Sequence, residues 1–380
     1  MTLTLTDEQK DFREAVRDFA ARECGSREQR DALTEGGTSA HSEELYAKIA
    51  ELGWLGIAIP EEYGGTGGNA TDMCLFLEDI SYGMIPIGGF TISSITAGPY
   101  IRFGTQELKE QILGGIAGGE VAAIAMSEPE SGSDVGSLVT RAERSNGGYV
   151  LNGQKTWCSE AHVADNILVV ARTNRDGAKH EGLSMFSIPT STEGMEIRGI
   201  PTMGGKIVND IFLTDCHVPA EQVVGEVDQG WMQLMSGLNL ERLIIAAGSL
   251  GMAQRAFDDV LAYVKERKQF DRPIGSFQTI KHRLADLATE IECVRLLTYD
   301  VARQVDEAPG AMFPKEASMA KLKATEVAKQ VSLEGMQMMG GYGYASEYDM
   351  ERHVRASLVM SIYGGTNEIQ REIVAKTYGL

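Results

Sequence analysis

The 380-residue sequence has no run of roughly 18 apolar residues, the length a membrane-spanning helix needs. It opens with no basic stretch leading into an apolar one, so a soluble, cytoplasmic protein is expected. Cysteine is sparse: Cys24, Cys74, Cys158, Cys216 and Cys293 are odd in number and include no CxxC pair. That pattern fits reduced thiols and argues against a disulfide framework or a zinc site. The six histidines form no HExxH or similar spacing, so no metal is expected. Positive charge is also short. With 35 Lys and Arg against 54 Asp and Glu the net charge is −19, which argues against nucleic acid or an anionic membrane as partner. The loop Pro60–Asn69 is rich in glycine, yet no GK[ST] follows it, which excludes a P-loop.

What is present reads as an ordinary globular protein, 43% hydrophobic and 23% charged, long enough for two or three packed units. Three textures follow one another, expected as domains 1–120, 121–230 and 231–380. The first is helical: Thr6 and Gln9 bracket a capping box, then Phe12, Val16 and Phe19 recur at helical spacing. Another helix is expected from Ser42 through Leu45, Ile49 and Leu52, stopping at Gly53. From Val121 the period changes to short β-branched runs at 149–153, 166–172, 183–189 and 207–213, separated by turn residues. This predicts a β-domain, barrel or sandwich. Beyond Trp231, helices are expected at 232–268, 276–306, 315–339 and 347–376, long enough for an antiparallel bundle. The order α, β, α without strand–helix alternation excludes a Rossmann sheet.

Five stretches could carry chemistry. The segment 125–137, AMSEPESGSDVGS, is either a solvated loop or a platform on which Ser127, Gly132 and Ser133 offer hydroxyls and N–H groups. In 152–161, Trp157 and Ser159 lie two apart, on one face of a strand, as a core Trp or as a flat ring with a hydroxyl at its edge. In 264–278, Arg267 and Arg272 flank an aromatic, either balancing a helix end or matching a diphosphate. Finally, Glu241 and Arg242 interrupt an apolar helix, and Gly364 and Gly365 break a helical pattern that Thr366 would then cap. Glu241 reads as a solvated carboxylate or as a buried base.

Together PEEYGG at 60–65, SEPESGSDV at 127–135, NGQKTW at 152–157, RKQFDRPIGSFQ at 267–278, QMMGGYGY at 337–344 and IYGGTNEIQR at 362–371 resemble the acyl-CoA dehydrogenase family over nearly the whole chain. The resemblance implies a mainly helical fold with a central β-domain: an N-terminal helical domain, a β-barrel or sandwich, and a C-terminal four-helix bundle, assembled as a homotetramer. It implies FAD, with Ser127, Gly132, Ser133, Trp157 and Ser159 at the flavin. Arg267, Phe270, Gln278, Gln337, Gly340, Gly341, Thr366 and Glu368 would serve its ADP half, partly across a subunit boundary. Ser133, Leu238, Arg242, Tyr363 and Gly365 would meet an acyl-CoA substrate, and electron-transferring flavoprotein would take the electrons.

One departure matters. Many family members read YEGT where this chain reads Tyr363-Gly364-Gly365-Thr366, and their Glu is the base. The isovaleryl and long-chain types carry it on an earlier helix in an LER context, matched here by Leu240-Glu241-Arg242. The resemblance therefore assigns Glu241 as base and the Gly364 N–H, with a ribityl hydroxyl of FAD, as donor to the thioester oxygen. A medium-to-long or bulky acyl chain is expected, IYGGTNEI resembling the long-chain subgroup. Gly88 and Gly89 would leave depth for such a chain, or simply break a helix. The rival readings are an acyl-CoA oxidase or flavin oxygenase on the same fold, and a non-catalytic acyl-CoA-binding scaffold subunit.

Overall fold

A computed structural model describes residues 5–380, apart from the side chains of Leu238 and Asn239. The architecture is mainly helical, with a sheet in the middle of the chain. The chain divides into two compact units.

The helical unit comprises the residues up to Arg30, Asn69–Ile85 and Asn239–Leu380. Its first helix, Asp7–Cys24, starts where the sequence predicts: Thr6 Oγ1 accepts from Gln9 N at 3.1 Å, and Gln9 Oε1 accepts from Thr6 N at 3.2 Å. The long helices are Gly230–Glu266, which enters this unit at Asn239, Gln278–Glu307 and Pro314–Met339. The pattern expected over 347–376 resolves into Met350–Met360 and Asn367–Lys376, joined by the turn that holds the glycine pair. Helix Pro314–Met339 buries Ala317, Ala320, Ala324, Val327, Ala328 and Val331. These small side chains let Gln278–Glu307, Met350–Met360 and Asn367–Lys376 pack closely against it. A buried acid pair ties in the helices from the N-terminal part. Glu78 bonds Arg295 and the Tyr299 hydroxyl, and Asp79 takes Arg13 at 2.6 and 2.8 Å and Arg17 at 2.9 Å.

The second unit spans Asp31–Gly68 and Pro86–Leu238. Its strands are β1 (Ala122–Ala125), β2 (Arg141–Ser145), β3 (Gly148–Ser159), β4 (Asn166–Arg172), β5 (Leu183–Pro189), β6 (Met195–Thr202), β7 (Gly205–Pro219) and β8 (Val223–Val224). They form one eight-stranded sheet in the order β6-β7-β3-β2-β4-β5-β8, with β1 parallel to β4. Strands β4 and β5 are buried over almost their whole length, which explains the apolar run at 167–171 in β4 and the apolar Leu183, Met185, Phe186 and Ile188 on both faces of β5. Leu168, Val170 and Met185 join Tyr63, Tyr100 and Leu113 in a continuous core, and the Tyr100 hydroxyl is held by Asn166 at 3.0 Å and Ser187 at 2.9 Å.

Gly88 and Gly89 open helix Gly88–Phe103 rather than leaving space. A Cβ at Gly89 would come within 2.8 Å of Val121 Cγ2, and one at Gly88 would strike the Glu160 carboxylate. Of the two readings, depth for an acyl chain or a break in the helical pattern, the helix start and this close packing support the second.

Candidate functional site

The predicted residues fall into three clusters, one in the sheet-containing unit and two in the helical unit. In the first, the loop after β1 is folded by a buried ion pair. Lys155 Nζ, fully buried, donates to Glu128 Oε1 at 2.7 Å and to Met126 O at 3.0 Å. The same carboxylate accepts from Val139 N at 2.6 Å and Thr140 N at 2.8 Å. Burial pushes the Glu128 carboxyl up, but Lys155 and these donors outweigh it and hold the group below its usual range. Burial lowers Lys155 to about 8, against the opposing pull of Glu128. Thr156 N donates to Ser127 O at 2.9 Å, which sets the Ser127 loop beside the strand segment that follows.

There β3 departs from simple alternation. Its register with β7 shifts between Lys155 and Cys158, and Trp157 sits at φ +59°. The bulge turns the indole out, 59% exposed, between buried Thr156 and Cys158, with Ser159 half-buried next to it. Gly132 and Ser133 are exposed, and Ser127 is half-buried. An open aromatic face, a hydroxyl on the same strand and a loop of hydroxyls and free-standing glycine backbone form a donor set suited to a planar, polar ring system.

In the helical unit, Glu241 lies in the fourth turn of its helix, half-buried. Burial raises its carboxyl, opposed by the charges of Arg242 and Lys321. The turn after Met350–Met360 brings Gly364 up to it. A Cβ at Gly364 would lie 3.5 Å from Glu241 Oε1 and would run into Ile245 Cδ1. Gly364 and Gly365 have φ +63° and +78°, where a side chain is strained. Among the described residues nothing accepts the Gly364 N–H. Tyr363 is coupled to the same carboxylate: burial, then the Glu241 charge, raises its phenol well above normal, and its hydroxyl meets Met360 Sδ at 2.9 Å. Arg242 is buried, and burial lowers its pKa against the pull of Glu241. Thr366 caps the next helix, accepting from Ile369 N at 3.3 Å, while Glu368 is exposed in its first turn. Leu238 lies outside the described side chains.

The third cluster surrounds a hairpin at the end of Gly230–Glu266. Strands β9 (Lys268–Gln269) and β10 (Arg272–Pro273) are joined by Phe270 and Asp271, both at positive φ, and Phe270 is 88% exposed. Arg267 stacks 5.3 Å over Tyr342 and lines a shallow recess together with Gly340 and Gly341. Phe270, Gln278 and Gln337 are not part of that recess. Gln337 and Gln278 are exposed on helix ends. An exposed guanidinium beside exposed glycine backbone can bind a diphosphate.

Three residues of these surroundings were not singled out from the sequence. Glu128 and Lys155 stood inside quoted motifs, but nothing local says that they meet. Lys321 carried a legible signal: it is a cation on the face that also presents Ala317, Ala320 and Ala324.

Three family models match the chain in order: the acyl-CoA dehydrogenase N-terminal domain over residues 6–120, its middle domain over 123–216 and its C-terminal domain over 228–379. Isovaleryl-CoA dehydrogenase, mitochondrial, of Solanum tuberosum is 36% identical over 386 residues, covering 99% of this chain and 91% of its own. The caffeyl-CoA reductase-Etf complex subunit CarC of Acetobacterium woodii is 35% identical over 376 residues, covering 97% of this chain and 98% of its own. The solved structure of PigA with FAD and proline superimposes with a TM-score of 0.92 at 28% identity, covering 100% of both chains.

Proposed function

This chain belongs to the acyl-CoA dehydrogenase family, and from that premise we propose that it converts an acyl-CoA thioester to the trans-2-enoyl-CoA with Glu241 as base. One observation carries the assignment. The Glu241 carboxylate lies next to Gly364, the position at which many family members keep their own base. The two locations are alternative routes for one functional group into one place.

The α-C–H of a thioester is a weak acid, so its removal needs a carboxylate out of bulk water and a donor for the developing enolate oxygen. Glu241 supplies the first. Its raised pKa makes it a stronger base, and Arg242 and Lys321 oppose the burial that would leave it protonated. The unaccepted Gly364 N–H supplies the second. Ser127, Gly132, Ser133, Trp157 and Ser159 would hold the flavin end of FAD. Arg267, Phe270, Gln278, Gln337, Gly340, Gly341, Thr366 and Glu368 would hold its ADP half, shared between subunits of a homotetramer. FAD bound there supplies the acceptor for the β-hydrogen and its electron pair, and electron-transferring flavoprotein, a partner implied by the CarC relative's name, is the proposed onward acceptor.

Ser133, Leu238, Arg242, Tyr363 and Gly365 are proposed to meet the substrate. Since Gly88 and Gly89 are closely packed, and a relative aligned over 99% of this chain is named an isovaleryl-CoA dehydrogenase, we place a bulky, branched acyl chain ahead of a long straight one. Domains 1–120, 121–230 and 231–380 and a cytoplasmic location complete the proposal. No described helix is long and apolar enough to cross a membrane.

The test is anaerobic titration of the flavin-loaded protein with a panel of acyl-CoAs, following bleaching of flavin absorbance. Glu241→Gln should keep FAD and lose bleaching by several orders of magnitude in rate. Unchanged bleaching in that variant would remove the base from the scheme. Oxygen uptake that matches turnover without another acceptor would instead favour the oxidase reading.

A further inference from the structure

Behind the Gly364–Gly365 turn stands Lys321, 0% exposed. Its Nζ donates to Gly365 O at 3.0 Å and to Asn367 Oδ1 at 3.1 Å, and Thr325 Oγ1 donates to the same Asn367 oxygen at 3.1 Å. Asn367 N returns to Ser361 O at 3.0 Å, closing the turn on itself. Gln370 Nε2 adds bonds of 2.9 Å to Gly365 O and 3.1 Å to Gly364 O. Two successive glycines at positive φ rotate cheaply unless their peptides are tied. Here both carbonyls are held, while the Gly364 N–H has no acceptor among the described residues.

A clamp alone needs no charge, and a neutral amide would donate to a carbonyl as well. Burying an ammonium is costly, and burial lowers Lys321 to about 8. Of the groups facing it, Glu241 is the largest counterweight, then Glu368, while Arg242 opposes them. Reciprocally, Lys321 is one of the two cations that act against burial at Glu241.

We propose that Lys321 is a positioning residue of the deprotonation site: it ties Gly365 and Asn367 so that the Gly364 N–H is aimed at the thioester oxygen, and its charge balances the Glu241 carboxylate. The proposal rests on Glu241 being the base.

The experiment uses the flavin-loaded full chain and an acyl-CoA analogue with sulfur at the β-position, which can lose its α-proton but cannot be dehydrogenated. The long-wavelength absorption of its enolate against the flavin reads deprotonation without turnover. In Lys321→Met the pH midpoint of that absorption should rise by about one unit or more, because a nearby cation has been removed. Lys321→Arg should stay near the parent. Flavin content and melting temperature report folding, and a purely structural role would not move the midpoint. Asn367→Asp keeps the oxygen that accepts from Lys321 and Thr325 and sets a competing carboxylate against Lys321. It should raise the midpoint in the same direction, which keeps the test decisive even if Lys321→Met does not fold. An unmoved midpoint in the folded variants overturns the proposal. Glu241→Gln separates the two readings. If it still yields the absorption, the base assignment fails. If it abolishes the absorption while the Lys321 and Asn367 variants behave like the parent, only the role of Lys321 fails.

Discussion

Glu160 shows how one buried carboxyl can govern pH behaviour outside the reaction. It is 2% exposed at φ +54° just after Ser159, and neither side-chain oxygen has a hydrogen-bond partner among the described residues. His162 Nε2 is 3.8 Å away, too far to count as one. Burial raises the carboxyl to about 8. Between its usual value of 4.5 and 8 the folded state keeps a proton that the unfolded chain has released. The contribution is therefore complete below 4.5 and is lost as pH rises through about 8. Glu160→Gln mimics the protonated form. It should melt near the parent in acid and above it in mild alkali, by on the order of a few kcal/mol. Equal melting temperatures at both pH values would show that Glu160 is not titrating in this window.

At the scale of elements, the Lys155–Glu128 pair joins β3 to the loop that follows β1, and so sets the donors proposed for the flavin relative to Trp157. Removing one partner leaves the other charged and buried. Lys155→Met should cost about 3–5 kcal/mol in stability and lower flavin content. The double variant Lys155→Met, Glu128→Gln should recover much of that loss, as a double-mutant cycle by thermal denaturation would reveal. Simple additivity of the two changes would mean that the pair is not coupled. The motifs carrying both residues were legible, but the pairing was not, because 27 positions separate two side chains that only the sheet brings together. Trp157 is similar. Alternation placed it on the face of Ser159, while the bulge and positive φ that turn it outward depend on the register with β7.

For the whole molecule, the hairpin tip is the informative surface. Phe270 is 88% exposed, and Arg272 stacks 4.0 Å over Phe277, with no ion pair to an acid among the described residues. Phe270, edge-on to Phe277 at 6.1 Å, is apolar surface at a two-residue turn that the proposed tetramer would cover. Phe270→Ala should weaken FAD retention about tenfold, roughly 1.4 kcal/mol, and loosen assembly in parallel. Flavin absorbance per chain and gel filtration on dilution measure the two together. Full retention in a dissociated protein would sink the shared-site proposal.

The sequence by itself determined the order of helical, sheet and helical segments, the capping box at Thr6 and Gln9, the runs that became β4 and β5, and the LER and YGGT contexts around the proposed base. Each of these depends on local periodicity or on a motif of adjacent residues. Tertiary structure alone decided that Glu241 meets Gly364, that Lys321 and Gln370 hold the glycine turn, and that Gly88 and Gly89 are filled by Glu160, His41 and Val121. Those outcomes join residues far apart in the chain, and whether a buried charge is ionised depends on neighbours that only packing supplies.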